Sequence, residues 1–286
     1  MRLVLDYFAG TGTSAAVAQK AGLKWINIEQ STYFEEKPLL RLKNTLFGDK
    51  SGISKELKWQ GGGWFKYVGL ESYEDTLNNL EPRRNTAQQA LLDTGTGGLK
   101  EEYLLRYMLD VETRGSQSLL NIKAFHDPTA YKLKVKRPGS DESREMNVDL
   151  LETFNWLVGL TVTHVAAPQS FGAEFERDSE KRLRLKGRIK QDAAGPWWFR
   201  TVIGTTPDAR RTLIIWRKLT GDPEQDNLVL NEWFTKQSYS TKDYEFQLIY
   251  VNGDNNLENL KAPDDTWKVR LIEEDLHRLM FDTEGV

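Results

Sequence analysis

The residues best suited to chemistry lie at the start of the chain. Val4-Leu5-Asp6-Tyr7-Phe8-Ala9-Gly10-Thr11-Gly12-Thr13-Ser14 is a short apolar run that carries an acid at its end and breaks into Gly-x-Gly. A helix-compatible segment follows, Thr13 to Lys20, closed by Gly22. The pattern reads as strand, tight turn and helix. Such a turn lets backbone N–H groups and a helix N-terminus approach a small molecule, because glycine has no Cβ to hold the ligand away. A second acid, Glu29, ends the apolar Trp25-Ile26-Asn27-Ile28. A phosphate loop ending in Gly-Lys-Ser/Thr is excluded, since no lysine lies between Gly10 and Ser14. A dinucleotide turn would accept Gly10-x-Gly12-x-x-Ala15 with Glu29 as its acid, but it does not call for Asp6 and Phe8. Cysteine is absent and the three histidines (His126, His164 and His277) are far apart, so no metal-ligand spacing is present.

Asp6-x-Phe8-Ala9-Gly10-x-Gly12-Thr13 resembles the S-adenosylmethionine-binding motif of amino-methylating DNA methyltransferases. In that family the glycine turn approaches the methionine end of the cofactor, and the acid ending the second strand accepts hydrogen bonds from the ribose hydroxyls. The resemblance implies cofactor contacts from Asp6, Phe8, Gly10, Gly12, Thr13 and Glu29. Further stretches are similar to the methylase (modification) subunit of type III restriction–modification systems. They are Ile53-Ser54-Lys55 with Trp59 and Gly61-Gly62-Gly63, Phe65-Lys66-Tyr67 with Leu70-Glu71-Ser72-Tyr73-Glu74, Val148 to Asn155 with Leu157 and Gly159-Leu160, Ile215-Trp216-Arg217, and Tyr250 to Asp254.

Taken together the chain is similar to the C-terminal part of a β-order adenine-N6 DNA methyltransferase, in which the catalytic motif precedes the cofactor motif. That catalytic Asp-Pro-Pro-Tyr is absent. The closest string, Asp127-Pro128-Thr129, lacks the second proline and the aromatic, so no residue here receives a catalytic role. The resemblance implies S-adenosyl-L-methionine as cofactor, and DNA as partner. It also implies an N-terminal methyltransferase half or full-length subunit, with a homodimer and a restriction subunit as further partners. Two alternatives stand beside it. One is a non-catalytic assembly module using the helix at 149–159 and an α/β unit at 212–251. The other is a nicotinamide-binding oxidoreductase, for which no catalytic constellation is present.

These residues need elements to hold them, and the 286 residues suggest two domains. The expected fold is α/β: a partial Rossmann-like methyltransferase sheet over 1–81, a helical and mixed connecting region over 82–160, and a smaller α/β domain over 161–286. Hydrophobic residues at 39% and aromatics at 11% support folded cores. The net charge of −3 gives no global pull toward nucleic acid, so a DNA-contacting surface must be a local basic patch. No apolar stretch reaches the roughly 20 residues that span a bilayer, so a cytoplasmic location without a membrane partner is expected.

Pro38 opens a helix over about 38–46, ended by Gly48. Trp64 to Leu70 alternates as a strand would, with the triple glycine before it as a flexible turn. Short helices are expected at 71–80 and 99–113. Tyr131 to Val135, Leu213 to Trp216 and Phe246 to Val251 read as strands, Asp226 to Lys236 as a helix, and Trp197 to Arg200 as part of a turn-rich stretch. Arg182 to Lys190 is basic on alternate residues, which suits either a phosphate-contacting patch or a solvated strand face.

Overall fold

The computed structural model describes residues 2–81, 121–136, 142–261 and 267–281, with scattered positions between 82 and 119. The chain forms a mixed α/β architecture in two compact units, Met1–Asp75 with Val135–Arg144 and Thr76–Lys134 with Glu145–Val286. The helix expected over 99–113 falls outside the described residues, Thr113 apart.

In the first unit β1 (Leu3–Asp6), α1 (Thr13–Lys20) and β2 (Lys24–Asn27) form one parallel strand–helix–strand crossover, in register from Leu3↔Lys24 to Asp6↔Asn27. Ala15, Ala16 and Ala18 are the buried face of α1, small enough to bring the helix close against its surroundings. Both glycines that close helices do so by the same device. After α1, Gly22 N–H bonds Gln19 O at 3.1 Å and Leu23 N–H bonds Ala18 O at 2.9 Å. After α2 (Pro38–Leu46), Gly48 N–H bonds Thr45 O at 3.1 Å and Asp49 N–H bonds Asn44 O at 3.0 Å. Each glycine adopts the left-handed conformation that this motif requires, φ 66° and 84°.

Residues beyond α2 wrap its end. Trp59 Nε1 donates to Thr45 O at 2.8 Å and Gly62 N–H to Leu46 O at 2.8 Å. The triple glycine is therefore a packed C-cap for α2. At Gly61 a Cβ would lie 2.6 Å from Leu46 O, so the backbone approach itself demands glycine. Trp64 to Leu70 forms no strand. Its alternation is genuine, since Phe65 meets Trp25 at 6.0 Å between ring centroids and Tyr67 stacks on Phe34 at 5.4 Å. Those ring contacts hold the segment, and among the described residues no strand pairs with it. The short helix at 71–80 is present as α3 (Tyr73–Asn78).

The second unit is built on a seven-stranded mixed sheet. After the two-stranded β3 (Lys132–Lys136) and β4 (Ser143–Asn147), of which Val135–Arg144 belongs to the first unit, come α4 (Leu150–Leu157), β5 (Thr161–Val165), β6 (Gln169–Gly172), β7 (Phe175–Arg177), β8 (Leu183–Leu185) and β9 (Lys190–Gln191). They are followed by β10 (Trp197–Thr205), β11 (Arg211–Arg217), α5 (Pro223–Lys236), β12 (Leu248–Val251), β13 (Val269–Leu271) and α6 (Ile272–Phe281). The strand order is β13-β12-β11-β10-β6-β9, with β5 also paired to β10.

β11, β12 and β13 are parallel and β10 runs against β11. The expected strand–helix–strand unit over 212–251 is thus β11-α5-β12, set inside a larger sheet. Both faces of β11 are covered. Leu213 and Ile215 of β11 pack toward Val229, Leu230 and Trp233 of α5, while Ile214 and Trp216 pack with Leu150 and Phe154 of α4 and Ile272 of α6. Burial on both sides is why β11 reads as one apolar run.

Two expectations are corrected here. Trp197 to Arg200 is the start of the nine-residue strand β10, whose Trp197, Phe199 and Val202 are buried. Among the described residues the C-terminal α/β part, expected to be the smaller, carries a seven-stranded sheet and the two-stranded β7–β8, against the two-stranded β1–β2 sheet of the N-terminal unit.

Candidate functional site

The N-terminal crossover brings its two acids to the same end of a sheet. Asp6 is the last residue of β1 and Glu29 follows β2 by two residues. The ladder continues past the strands through Ile28 N–H to Asp6 O (2.9 Å) and Ala9 N–H to Ile28 O (3.0 Å), which fixes the turn against β2. Gly10 and Gly12 both take positive φ, 53° and 74°. Gly12 is the N-cap of α1, and no side chain caps that helix end. A Cβ on Gly12 would stand 3.2 Å from the Pro38 Cα, so the turn is pressed against the start of α2.

Glu29 clamps the turn. Its Oε2 accepts from Gly10 N–H at 2.6 Å, and its Oε1 accepts from Ser31 N–H at 2.9 Å and from the Ser31 hydroxyl. The Ser31 hydroxyl first, then the Ser31 and Gly10 amides, hold the Glu29 carboxyl below the usual glutamate range. It is an ionised acceptor at neutral pH. Each carboxylate oxygen has two lone pairs, so acceptor capacity remains on this group. Asp6 Oδ1 accepts from Phe8 N–H at 3.1 Å, and the Phe8 ring stands 91% exposed beyond it. Asn27, in register with Asp6, carries a buried amide whose Oδ1 and Nδ2 have no partner. Thr13 Oγ1 lies 3.2 Å from Thr11 Oγ1 and accepts from Arg41 Nη1.

All six residues singled out from the sequence (Asp6, Phe8, Gly10, Gly12, Thr13 and Glu29) therefore sit on one strand–turn–helix and the following strand end. This is the carboxyl end of a parallel pair, where open α/β sheets hold ligands. Ser31 and Arg41 were not legible in advance. Ser31 is a loop serine, and Arg41 reaches Thr13 from α2, with no local pattern marking either. Beside the turn is a hollow lined by Thr11, Lys37, Leu40, Arg41, Asn44 and Asp49, among others. One wall is fixed by Lys20, whose Nζ pairs with Asp49 at 2.8 Å and donates to Ser51 O at 3.0 Å.

Other sequence candidates resolve as structure. Asp127 accepts from Thr129 N–H at 3.1 Å and Thr129 Oγ1 at 2.6 Å, and pairs with Lys218 at 2.6 Å. The string Asp127-Pro128-Thr129 is a turn tied to the end of β11. In the basic stretch, Arg182 pairs with Glu180 at 2.5 Å, Arg184 with Asp178 at 2.8 Å and Lys186 with Glu174 at 3.8 Å. Acids on and around β7 neutralise the cations of β8, and the stretch breaks at Gly187 (φ 81°) before β9. The solvated-face reading describes this ribbon better than a phosphate patch. The apolar faces of α4, β11 and β12 pack within their own unit, except Trp156 of α4, which is 66% exposed.

Among the described residues no group of three His, Cys, Asp or Glu could hold a metal ion, and no helix is long and apolar enough to cross a membrane. Comparison with known proteins gives one relationship to weigh with this geometry. The chain is 31% identical over 166 residues to a Haemophilus influenzae protein described as the Mod subunit of HindVI, a probable type III restriction-modification enzyme. The alignment covers 56% of this chain and 19% of that subunit, so the chain spans about a fifth of its length. No family model and no solved structure matches the chain. The likeness points to a family-level relationship with a restriction-modification Mod subunit.

Proposed function

We propose that this chain is the cofactor-binding and C-terminal portion of a site-specific adenine-N6 DNA methyltransferase of a type III-like restriction–modification system. One observation carries the reading: two strand-end acids and a glycine turn meet at the carboxyl end of the parallel β1–β2 pair, with Glu29 bonded to Gly10 N–H at 2.6 Å. The pair is then part of a Rossmann-like methyltransferase sheet. S-adenosyl-L-methionine is the methyl donor on this reading, and Asp6, Phe8, Gly10, Gly12, Thr13 and Glu29 hold it. The residues present suit that group. Ionised Glu29 accepts from hydroxyls, the glycines admit close backbone approach, and the exposed Phe8 ring offers an apolar face.

No residue of this chain carries catalysis. Methylating an adenine amine in duplex DNA requires the base to be flipped out and held against the sulfonium, and positioning supplies much of the rate. The string closest to that motif, Asp127-Pro128-Thr129, is committed to its own turn and to Lys218. The base-holding motif therefore comes from an N-terminal half, in the same polypeptide or a separate one. The test is calorimetry of S-adenosylmethionine with the chain alone and with that half, followed by transfer of labelled methyl to DNA. Cofactor binding that Glu29→Ala abolishes, with transfer only in the mixture, is the expected result. Absence of binding in both samples refutes the reading.

A further inference from the structure

The net charge of the chain hides a local one of opposite sign. From Lys37 to Lys58 the sequence carries six cations (Lys37, Arg41, Lys43, Lys50, Lys55 and Lys58) against two acids, Asp49 and Glu56. The chain as a whole stands at −3. All six cations are exposed. Among the described residues none of them forms an ion pair, and Asp49 is already taken by Lys20 at 2.8 Å. The β7–β8 ribbon is the opposite case, since Arg182, Arg184 and Lys186 each have an acid of their own. Folding gains little from the basic stretch. Lys37 and Arg41 stand one turn apart at the start of α2, where like charges repel and the helix dipole disfavours cations. Lys37 lies 4.9 Å from the centre of the Tyr33 ring, and Arg41 donates to Thr13 Oγ1. These contacts order both side chains without neutralising either.

We infer that α2 and the segment running to Lys58 form a surface for the phosphate backbone of DNA, with one phosphate seated in the hollow between Lys37, Arg41 and Thr11. That hollow measures about 320 Å³. Thr11 and Asn44 add a hydroxyl and an amide to its two cations, and phosphate oxygens take this set of donors. Asp49, the acid in its wall, is offset by Lys20. Beyond the hollow the cations continue through Lys43, Lys50, Lys55 and Lys58, more than one small anion can use. A duplex, with a charge about every 1.7 Å of its axis, can engage them together. Thr11 also belongs to the Gly10–Gly12 turn, so a phosphate held there lies beside the turn assigned to the methyl donor. This rests on the methyltransferase reading above and gives the duplex a place on this chain.

The test is titration of a fluorescent duplex of arbitrary sequence with the full chain, without cofactor, over a series of salt concentrations. Anisotropy reads the affinity. Lys37→Gln combined with Arg41→Gln should weaken binding tenfold to hundredfold at about 0.1 M salt and lower the salt slope by about two. Lys43→Gln combined with Lys50→Gln, which leaves the hollow and the turn untouched, should lower the slope by a similar amount. Arg182→Gln combined with Arg184→Gln removes the same charge from the paired ribbon and should change neither quantity. Melting curves establish that each variant is folded. Three results overturn the proposal: no duplex binding by the folded chain, an equal loss from the ribbon variant, or displacement of the duplex by polyglutamate charge for charge. The last would make an acidic polypeptide the occupant. Duplex binding without S-adenosylmethionine binding in calorimetry would support this surface and count against the cofactor reading alone. Cofactor binding without duplex binding would count against this surface alone.

Discussion

Replacing Arg217 with methionine should unravel the carboxyl end of the C-terminal sheet. The side chain is 1% exposed, and its guanidinium donates to four backbone carbonyls. Nε donates to Asn252 O at 2.9 Å, Nη1 to Asp226 O at 3.2 Å, and Nη2 to Gly253 O at 3.3 Å and Asp254 O at 2.7 Å. It ties the loop after β12 and the start of α5 to the end of β11.

Burial pushes the guanidinium down to about 10, against the carboxylates of Asp226, Glu273 and Asp254 that hold it up, so it is charged at neutral pH. Methionine fills much of the volume and removes the Arg217 donors from four carbonyls. Breaking a buried charge network from one side costs about 3–5 kcal/mol, less than the sum over its bonds because some carbonyls recover water. That is a large share of the roughly 5–15 kcal/mol that holds a domain together. Urea denaturation of the full chain, with amide exchange over β11 and β12 to assign the transition, measures it. Arg217→Lys, which keeps charge but loses the planar fork, should fall between the two. A methionine variant as stable as the parent would refute the reasoning, because buried charges can be replaced without loss only where their bonds contribute nothing net.

Other outcomes follow from the same geometry. Gly61→Ala puts a Cβ 2.6 Å from Leu46 O at a φ of 98°, and should destabilise the N-terminal unit by more than about 1 kcal/mol in thermal denaturation, unlike Gly69→Ala, where the space is open. Lys20 first, then Ser51, hold the Asp49 carboxyl well below its ordinary 3.8. A depressed carboxyl contributes stability above its unfolded value and loses it as pH falls toward the folded one, so the N-terminal unit should weaken below about pH 4. Asp49→Asn should flatten that acid limb in a pH series of melting curves. Phe154→Ala, removing a ring that packs edge-on at 5.0 Å to Tyr250 and 6.2 Å to Trp216, should cost about 3–5 kcal/mol in urea. Glu29→Gln keeps the shape but turns one acceptor into a donor facing Gly10 N–H or Ser31, and should speed amide exchange at Gly10.

What the sequence made legible is what short-range chemistry decides. Gly22, Gly48 and Gly159 each stop a helix with a left-handed residue, and Pro38 opens one at its first turn. The same stop at Ser238, φ 60°, carries no glycine to announce it. Asp6, Gly10, Gly12 and Glu29 could be grouped from sequence because a strand–turn–helix–strand brings them together within one local unit. Strand β10 was hidden because its partners are distant: β11 follows it, but β5 and β6 precede it, with Thr205 paired to Thr161, and share no pattern with it. β5 itself is exposed at every position, so no alternation marks it. Trp64 to Leu70 shows the converse error, an alternation produced by two ring contacts with no ladder behind them.

The two units differ in how they satisfy their own sheets, and that difference bears on function. In the C-terminal unit both faces of β11 are closed by elements of the same unit, α5 on one side and α4 with α6 on the other. Its stability is a property of this chain. In the N-terminal unit the candidate site rests on a two-stranded sheet with Leu3, Leu5 and Ile26 about half exposed. The acids and glycines of that site are fixed by hydrogen bonds along β1, β2 and the turn between them. Asp6 O, Ile28 and Ala9 N–H all bond on the β2 side of β1, so the turn that Glu29 clamps is set by groups within this chain, on the side of the sheet that β2 already completes.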